Sequence, residues 1–317
     1  MQSMMRRIAA IAPILALLLA LAWWFGRRAL DPAQRGVEVI AGGGEAVPAA
    51  AAPAPGAIET DRDREIFLEK MAWARAERLD TLPIGEIVAR LGRTFVGTKY
   101  TPHTLEVDGP ERLVVNLREL DCVTFVESTL AMARLIHEGK FDDYGAYKRE
   151  LARIRYRDGI IDGYASRLHY FSDWIANGEA KGLVRDVTRE IGGVLDDGPI
   201  DFMSTHRDAY RQLADPATLE AIRRVEAAAS ARPRYFIPET RIADAAPRIR
   251  NGDIIAATSN VDGLDVAHTG IALWIDGRLH LLHAPLVGKS VEISELPLAE
   301  RILDIDGQDG IMVARPS

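Results

Sequence analysis

A tract of small residues and prolines limits which part of this sequence can fold. From residue 41 to residue 56 the chain consists of Ala, Gly and Pro with almost no large side chain. Such a tract cannot bury enough apolar surface to offset the entropy lost on ordering. We therefore predict an Ala/Pro/Gly-rich linker over residues 29–57 and one folded domain over residues 58–317.

The segment before the linker has the order of an export signal. Arg6 and Arg7 precede an apolar run over residues 8–26, as a positive n-region precedes an h-region. Ala20-Leu21-Ala22 fits a cleavage site, whereas the aromatic residues after it fit an interfacial anchor. The run is close to the roughly 20 residues that span a bilayer. We predict a signal peptide or a single inner-membrane anchor over residues 1–28, in a protein of the periplasm or cell envelope.

The overall charge excludes one class of partner. The chain carries 39 Lys and Arg against 46 Asp and Glu, a formal net charge of -7. Nucleic-acid-binding proteins need a surplus of cations to neutralise phosphates. We therefore expect no nucleic-acid partner and an uncharged or modestly ionic ligand. The sequence does not indicate an oligomeric state.

Cys122 is the only cysteine in the chain. It therefore has no partner for an intramolecular disulfide and cannot belong to a multi-cysteine zinc site. Exported proteins usually pair their thiols or lack them, because the compartment is oxidising. A single retained thiol is either a small buried hydrophobe or a reactive group, and composition alone leaves both open.

The sequence around Cys122 favours a reactive group. Residues 111–117 alternate like a strand, and an amphipathic run follows Asp121, a good helix N-cap. Cys122 is then the first helical residue, where free backbone amides and the helix dipole stabilise a thiolate and lower the pKa of the thiol. The same amides can bind the oxyanion that forms on a carbonyl under attack.

A pair of C-terminal histidines is placed to act with that thiolate. Residues 268–275 and 278–284 read as strands, joined by the hairpin signal Asp276-Gly277. His268 begins the first strand and His283 ends the second, so an antiparallel hairpin brings them together as a base and a residue that orients it. Strand side chains alternate between faces, which places His280 on the other face.

Five segments resemble, in order, the signature of the NlpC-like, papain-related cysteine peptidases of bacterial cell walls. They are Gly97-Thr98-Lys99-Tyr100, Leu120-Asp121-Cys122-Val123-Thr124-Phe125-Val126-Glu127, Asn251-Gly252-Asp253-Ile254, His268-Thr269-Gly270-Ile271 and His283-Ala284. The more specific resemblance is to a branch described as N-acetylmuramoyl-L-alanine amidase-like, which has the same Asp-Cys-Val-Thr-Phe-Val-Glu helix start and a large insertion before its histidine strands. The resemblance covers residues 58 to 312.

This resemblance implies a fold and a reaction. The fold is α+β and papain-like, with the nucleophile at the start of a helix packed on an antiparallel sheet. Cys122 matches the nucleophile, His268 the base and His283 the orienting residue, while Tyr100 and Asp121 lie beside them as substrate-binding residues. The substrate is peptidoglycan or a muropeptide, cut at the amide between N-acetylmuramic acid and L-alanine without cofactor or metal. The alternative is an endopeptidase cut between D-glutamate and the diamino acid of the same stem.

The branch's insertion corresponds to residues 141–232, which we predict to be mostly helical. The predicted elements of the insertion and of the segment before Cys122 are helices over 62–79, 83–93, 144–154, 166–176 and 216–229 and a strand over 183–188. Arg167 and His169 are expected to bind the carboxylates of the stem peptide, since Arg binds carboxylates bidentately. The alternative is that Arg167 is a solvated helix cap.

Three other functions stay open from the sequence. A zinc amidase would use His268, His280 and His283 as its three protein ligands, although that leaves Cys122 without a role. A non-catalytic wall-binding module would keep the fold and need no thiolate. Acyl transfer to an amine or alcohol would use the same residues as hydrolysis.

Overall fold

The computed structural model describes residues 56–286 and 290–317. In chain order the helices and strands are α1 (Asp61–Ala76), α2 (Ile84–Arg93), β1 (Lys99–Tyr100), β2 (Glu119–Leu120), α3 (Cys122–His137), α4 (Tyr144–Arg155), α5 (Phe171–Ala180), β3 (Val184–Asp186), β4 (Val194–Asp196), α6 (Phe202–Thr205), α7 (Pro216–Ser230), β5 (Arg234–Pro238), α8 (Ile242–Ala245), β6 (Ile254–Ser259), β7 (Val266–Ile275), β8 (Arg278–His283), β9 (Glu292–Ile293), α9 (Leu298–Asp304) and β10 (Gln308–Pro316). Short 3₁₀ turns connect several of them.

Almost all of the N-terminal predictions concern residues outside the described part of the chain. The predicted export segment, residues 1–28, and all but the last two residues of the predicted linker lie outside the described part of the chain. Within the described part, no helix combines the length and the apolar character that crossing a bilayer requires. The residues from Ala57 to Ser317 form one compact unit.

An antiparallel sheet forms the centre of this unit. Its strand order is β4-β5-β10-β6-β7-β8-β9, and β3 adds to the far end of β10. All of these pairings are antiparallel, while β1 and β2 form a separate parallel pair. With helices packed on the sheet, the architecture agrees with the predicted α+β class.

Both faces of the sheet are buried, and the residues alternate between two hydrophobic clusters. In β6, Ile254 and Ala256 pack with helices α1 to α5, whereas Ile255 and Ala257 pack with the short helices α8 and α9. Successive strand residues point to opposite faces. A sheet covered on both sides has near-continuous apolar strands, so the first four residues of β6, residues 254–257, form an apolar run.

The β7–β8 hairpin follows from its two turn residues. Asp276 and Gly277 have φ values of 49° and 76°, the left-handed conformation that two-residue hairpin turns require and that Asp-Gly adopts readily. Ile275 pairs with Arg278 across the turn, and Ile271 pairs with Leu282 further along. The hairpin thus places the start of β7 and the end of β8 side by side at the same end of these strands.

Helix α3 lies between the sheet and the other helices and is nearly all buried. Its start is fixed locally, because the Asp121 carboxylate accepts a hydrogen bond from the Thr124 amide (2.8 Å) and the Thr124 hydroxyl accepts one from the Asp121 amide (2.9 Å). This reciprocal cap satisfies two backbone donors. The helix begins at Cys122, as the sequence predicts.

Two predicted elements are wrong, both because tertiary partners override local pattern. Residues 111–117 form no continuous strand: Val114 makes a single bridge to Ile58, and the Leu117 amide donates to the Asp63 carboxylate. The helix predicted over 166–176 begins only at Phe171, because bridging to the end of α4 holds the residues before it extended.

Candidate active site

A groove of about 150 Å³ opens where the start of α3, the start of β7 and the insertion meet. Its lining residues come from these three places: Cys122 and Val123, then Leu168, His169, Tyr170, Phe171, Met203 and Tyr210, then Leu264, Asp265, Val266, Ala267, His268 and Thr269. Drug-sized ligand sites usually occupy about 300–1,000 Å³. This groove therefore holds only the part of a ligand nearest the thiol, and the rest of a larger ligand must extend beyond it.

The Cys122 thiol is half-buried and protonated at neutral pH. Burial first, and then the neighbouring Asp121 carboxylate, raise the pKa of the Cys122 thiol to about 12, although Thr269 and the Val123 amide oppose the rise in part. The expectation of a lowered thiol pKa is therefore corrected, because desolvation and an adjacent negative charge outweigh the helix terminus. The Thr269 hydroxyl also donates to the Cys122 carbonyl (2.9 Å) and ties α3 to β7.

His268 and His283 are joined directly. His268 Nε2 lies 2.8 Å from His283 Nδ1, and the two rings meet edge to face at 84°. Burial, followed by the Arg301 cation, lowers the pKa of His283 to about 3, and burial followed by His283 lowers the pKa of His268 well below its usual value. Both imidazoles are thus neutral at pH 7, so one ring donates the shared proton and the other accepts it.

His280 takes no part in this pair. Its Nδ1 lies 2.9 Å from the Ser294 carbonyl oxygen, on the face of β8 opposite to that of His283. Among the residues that the structure describes, no group of three or more His, Cys, Asp or Glu side chains is arranged to hold a metal ion. The three histidines considered for zinc therefore do not converge.

Two further predicted residues adjoin the thiol. The Asp121 carboxylate is engaged in capping α3, since it accepts from both the amide and the hydroxyl of Thr124. Burial raises the pKa of the Tyr100 phenol, and the neighbouring Asp121 carboxylate also raises it, so Tyr100 keeps its proton beside the thiol. Neither residue is part of the groove lining.

Arg167 does not occupy the place that the sequence suggested. It is only 4% exposed, and its guanidinium pairs with Glu106 (2.5 Å), lies 3.6 Å from Glu111 and donates to the Leu105 carbonyl (3.0 Å). Its charge is thus neutralised inside the protein, away from the groove lining. Arg167 is therefore neither a carboxylate reader in the groove nor a solvated cap, because a buried cation requires acidic partners of its own.

His169 does line the groove. Its Nε2 lies 2.8 Å from the Tyr164 carbonyl oxygen, and its ring packs on the Tyr164 ring at 4.3 Å. Burial, followed by the nearby Arg167 cation, lowers the pKa of His169 to about 3. The ring is consequently fixed in place and neutral.

The sequence reasoning missed Asp265, which also lines the groove. Its carboxylate accepts from the amide of Ser172 (2.7 Å) and from the amide of Val266 (2.8 Å), and burial raises its pKa. These bonds connect the first turn of α5 to the residues just before His268. The available signal was an acidic residue three positions before a predicted base. Met203 and Tyr210 were also not predicted as groove residues, although the segment Asp201-Phe202-Met203-Ser204 resembles the same branch.

Comparison with known proteins identifies the family. The sequence profile described as AmiA-like, N-acetylmuramoyl-L-alanine amidase-like, matches residues 90–308. An N-acetylmuramoyl-L-alanine amidase structure from Bacteroides uniformis is 41% identical, with a TM-score of 0.71 over 74% of this chain and 99% of that one. A Bacteroides fragilis protein described as a candidate xylanase is 44% identical, with a TM-score of 0.68 over 71% of this chain and 98% of that one.

A more distant structure shares the fold alone. It is a Legionella pneumophila protein of 20% identity, with a TM-score of 0.56 over 81% of this chain and 93% of that one. No curated protein matches the sequence. The profile match spans more than half of the chain, and the relatives above 40% identity are covered almost completely. The chain belongs to the N-acetylmuramoyl-L-alanine amidase-like family.

Proposed function

We propose that this protein hydrolyses the amide bond between N-acetylmuramic acid and L-alanine in peptidoglycan fragments, with Cys122 as nucleophile. The observation that carries the proposal is that Cys122 and His268 line one groove while His283 holds the far nitrogen of His268 at 2.8 Å. A thiol, an imidazole and a third group that orients the imidazole are what acyl transfer by cysteine requires. Family membership supports the same activity.

The proton route follows from the bond between the histidines. Since His268 Nε2 faces His283, His268 Nδ1 is the nitrogen left to take the thiol proton. His268 then carries its resting proton on Nε2 and donates it to His283 Nδ1, which places the proton of His283 on its own Nε2. When His268 becomes an imidazolium, this bond strengthens because its donor is charged.

The reaction then proceeds in two steps. As Cys122 passes its proton to His268 Nδ1, the sulfur bonds to the lactyl carbonyl carbon, and the amides at the start of α3 stabilise the oxyanion. His268 returns the proton to the departing amine of L-alanine, the C–N bond breaks and a thioester remains. Water attacks the thioester with His268 as base, which releases the lactyl carboxylate and restores the thiol.

The charge of the groove supports this bond over the endopeptidase bond. Of the described residues that line it, none is Lys or Arg, and Asp265 contributes a buried carboxylate. Neither the lactyl group nor L-alanine carries a free carboxylate beside the muramoyl amide. D-glutamate carries one beside the endopeptidase bond, and burying that charge without a cationic partner is costly. The same lining has only one acidic side chain, whereas glycosidases typically use two.

The proposal is tested by incubating the full-length protein with purified muropeptides in water enriched in ¹⁸O and identifying the products by mass spectrometry. Release of an intact stem peptide beginning with L-alanine, with ¹⁸O in the lactyl carboxylate, is the expected result. A shortened stem would move the cut to the endopeptidase bond. Products carrying an added amine or alcohol in place of ¹⁸O would indicate acyl transfer, and no product would favour a binding module.

Histidine variants supply a matched control. Cys122→Ala is expected to lower turnover by at least about 10³-fold, because the thioester can no longer form. His283→Ala is expected to lower it by about 10²-fold through misorientation of His268. His280→Ala lies on the same strand but bonds to Ser294, so it should retain activity. Equal losses in the two histidine variants would contradict the assigned roles.

Export remains part of the proposal. The basic residues and apolar run over 1–26 fit delivery to the periplasm or cell envelope, where the proposed substrate is found. Fractionation of cells that express the full chain, with and without residues 1–28, would test this by locating the protein.

A further inference from the structure

The hydrogen bond of His169 fixes which of its nitrogens carries a proton. The Tyr164 carbonyl oxygen, 2.8 Å from His169 Nε2, can only accept a hydrogen bond. Nε2 must therefore be the protonated nitrogen of this neutral ring. It follows that Nδ1 of His169 carries a lone pair and acts only as an acceptor.

That acceptor is accessible and has no partner within the protein. Among the described residues no hydrogen bond reaches His169 Nδ1, and Nδ1 is not one of the fully buried polar atoms that lack a partner. It therefore retains contact with solvent, and the groove is the concave surface that His169 lines. The tilted contact with the Tyr164 ring, whose centroid also lies 4.8 Å from the Arg167 guanidinium, keeps the His169 ring from turning away.

We propose that His169 Nδ1 accepts a hydrogen bond from a secondary-amide N–H of the bound muropeptide. This inference rests on the proposed function and adds to it the group by which the insertion recognises the substrate. It reverses the polarity expected from the sequence, in which Arg167 and His169 would donate to stem carboxylates. Arg167 is already paired with Glu106 and Glu111, and the one N–H of the neutral His169 ring already donates to Tyr164.

The surroundings of His169 favour a neutral donor. A further acceptor among the lining side chains is Asp265, which is buried and whose two carboxylate oxygens each accept from one backbone amide. A substrate carboxylate would meet lone pairs on both residues, whereas an amide N–H would complement them. Besides the scissile amide itself, which reacts with Cys122, the muropeptide has two such amides nearby: the 2-acetamido group of the sugar and the amide between L-alanine and D-glutamate.

The experiment replaces each of these N–H groups by oxygen. The catalytically inactive full-length Cys122→Ala protein is titrated calorimetrically with a muramoyl dipeptide, with its 2-acetoxy analogue and with the depsipeptide that has an ester between L-alanine and D-glutamate. One analogue is expected to bind about tenfold more weakly than the parent, the loss of one neutral hydrogen bond. Which analogue is affected distinguishes the sugar amide from the stem amide.

Variants of His169 then connect that loss to the ring. His169→Phe in the Cys122→Ala background should bind the parent about tenfold more weakly and lose the discrimination between N–H and oxygen. His169→Gln, whose amide can donate to Tyr164 while its carbonyl accepts, should restore part of the discrimination. His206→Phe is the matched control, because His206 also bonds a carbonyl and stacks on an aromatic ring, yet lies outside the groove lining.

Two results would overturn the inference. The first is that all three ligands bind equally well, or that none of them binds. The second is that His169→Phe in the Cys122→Ala background still discriminates between N–H and oxygen as strongly as Cys122→Ala alone. Failure of the proposed function is recognised separately, because the product analysis with the active protein reports which bond is cut and the calorimetry reports recognition without cleavage.

Discussion

Replacing Glu127 by Met is expected to destabilise the protein by about 3–5 kcal/mol, because it leaves the Arg155 cation buried without its acidic partner. Glu127 and Arg155 are 1% and 2% exposed, and their charged atoms are 2.7 Å apart. Arg155 also donates to the Val114 carbonyl at 2.6 Å. The pair joins α3, which begins at Cys122, to α4 and to the segment before α3.

Arg155→Met should destabilise the protein less than Glu127→Met, because a carboxylate left without its partner can lose its charge and a guanidinium cannot. Arg155 cannot be deprotonated in a protein, whereas a carboxylic acid can take up a proton. Burial already raises the pKa of Glu127, and Arg155 opposes that rise. In Arg155→Met the pKa of Glu127 rises further, so the group becomes neutral and its burial less costly.

This difference has a defined dependence on pH. In Arg155→Met the folded protein holds a proton on Glu127 that the unfolded chain releases above a pH of about 4.3. The destabilisation relative to wild type should therefore be smallest at pH 5 and grow with pH, by at most about 1.4 kcal/mol per unit. In Glu127→Met no carboxyl group remains at this position, so the stability of that variant itself gains no pH dependence from it.

Urea unfolding followed by far-ultraviolet circular dichroism at pH 5 and pH 8 measures these differences. The double variant Glu127→Met/Arg155→Met should regain most of the loss, apart from about 1–3 kcal/mol for the unpaired Val114 carbonyl. Arg149→Met, which breaks the exposed pair with Asp143, is the control and should cost less than about 1 kcal/mol. Additive losses in the double variant, or a pH-independent Arg155→Met, would refute the reasoning.

Three further predictions follow from single sites. Since burial raises the pKa of Cys122 to about 12, iodoacetamide should alkylate it at pH 7 about 10³ times more slowly than a free thiol; comparable rates would contradict this. Burial lowers the pKa of His169 and of His283 to about 3, so the stability that depends on these neutral rings is fully present above pH 6.5. The free energy of unfolding should decline by up to about 1.4 kcal/mol per pH unit for each residue as the pH falls towards 3. Urea unfolding at several pH values should show a smaller decline when either residue is replaced. Gly252→Ala should destabilise by about 2–4 kcal/mol, measured by thermal unfolding, since φ is 79° and a Cβ would overlap the Gly85 carbonyl.

Features that depend on neighbours in the chain were predictable from the sequence. The start of α3 at Cys122 follows from a cap within three residues, and the β7–β8 hairpin follows from two residues that adopt positive φ. The separation of His283 from His280 follows from the two-residue period of a strand. Each of these is a short-range steric or hydrogen-bonding constraint, which the same residues impose in many folds.

Features that sum over distant groups were decided by the tertiary structure. The thiol of Cys122 is less acidic than its helix position suggested, because its pKa depends on desolvation by the whole groove. Arg167 meets acidic partners about 60 residues earlier in the chain, and the tautomer of His169 is set by one backbone carbonyl. The C-terminal strand β10, central in the sheet, had no local signal of its place. The sequence determined which groups are chemically capable, and the fold determined which of them are charged, paired or free to meet a substrate, because burial and partner choice are properties of the packed molecule.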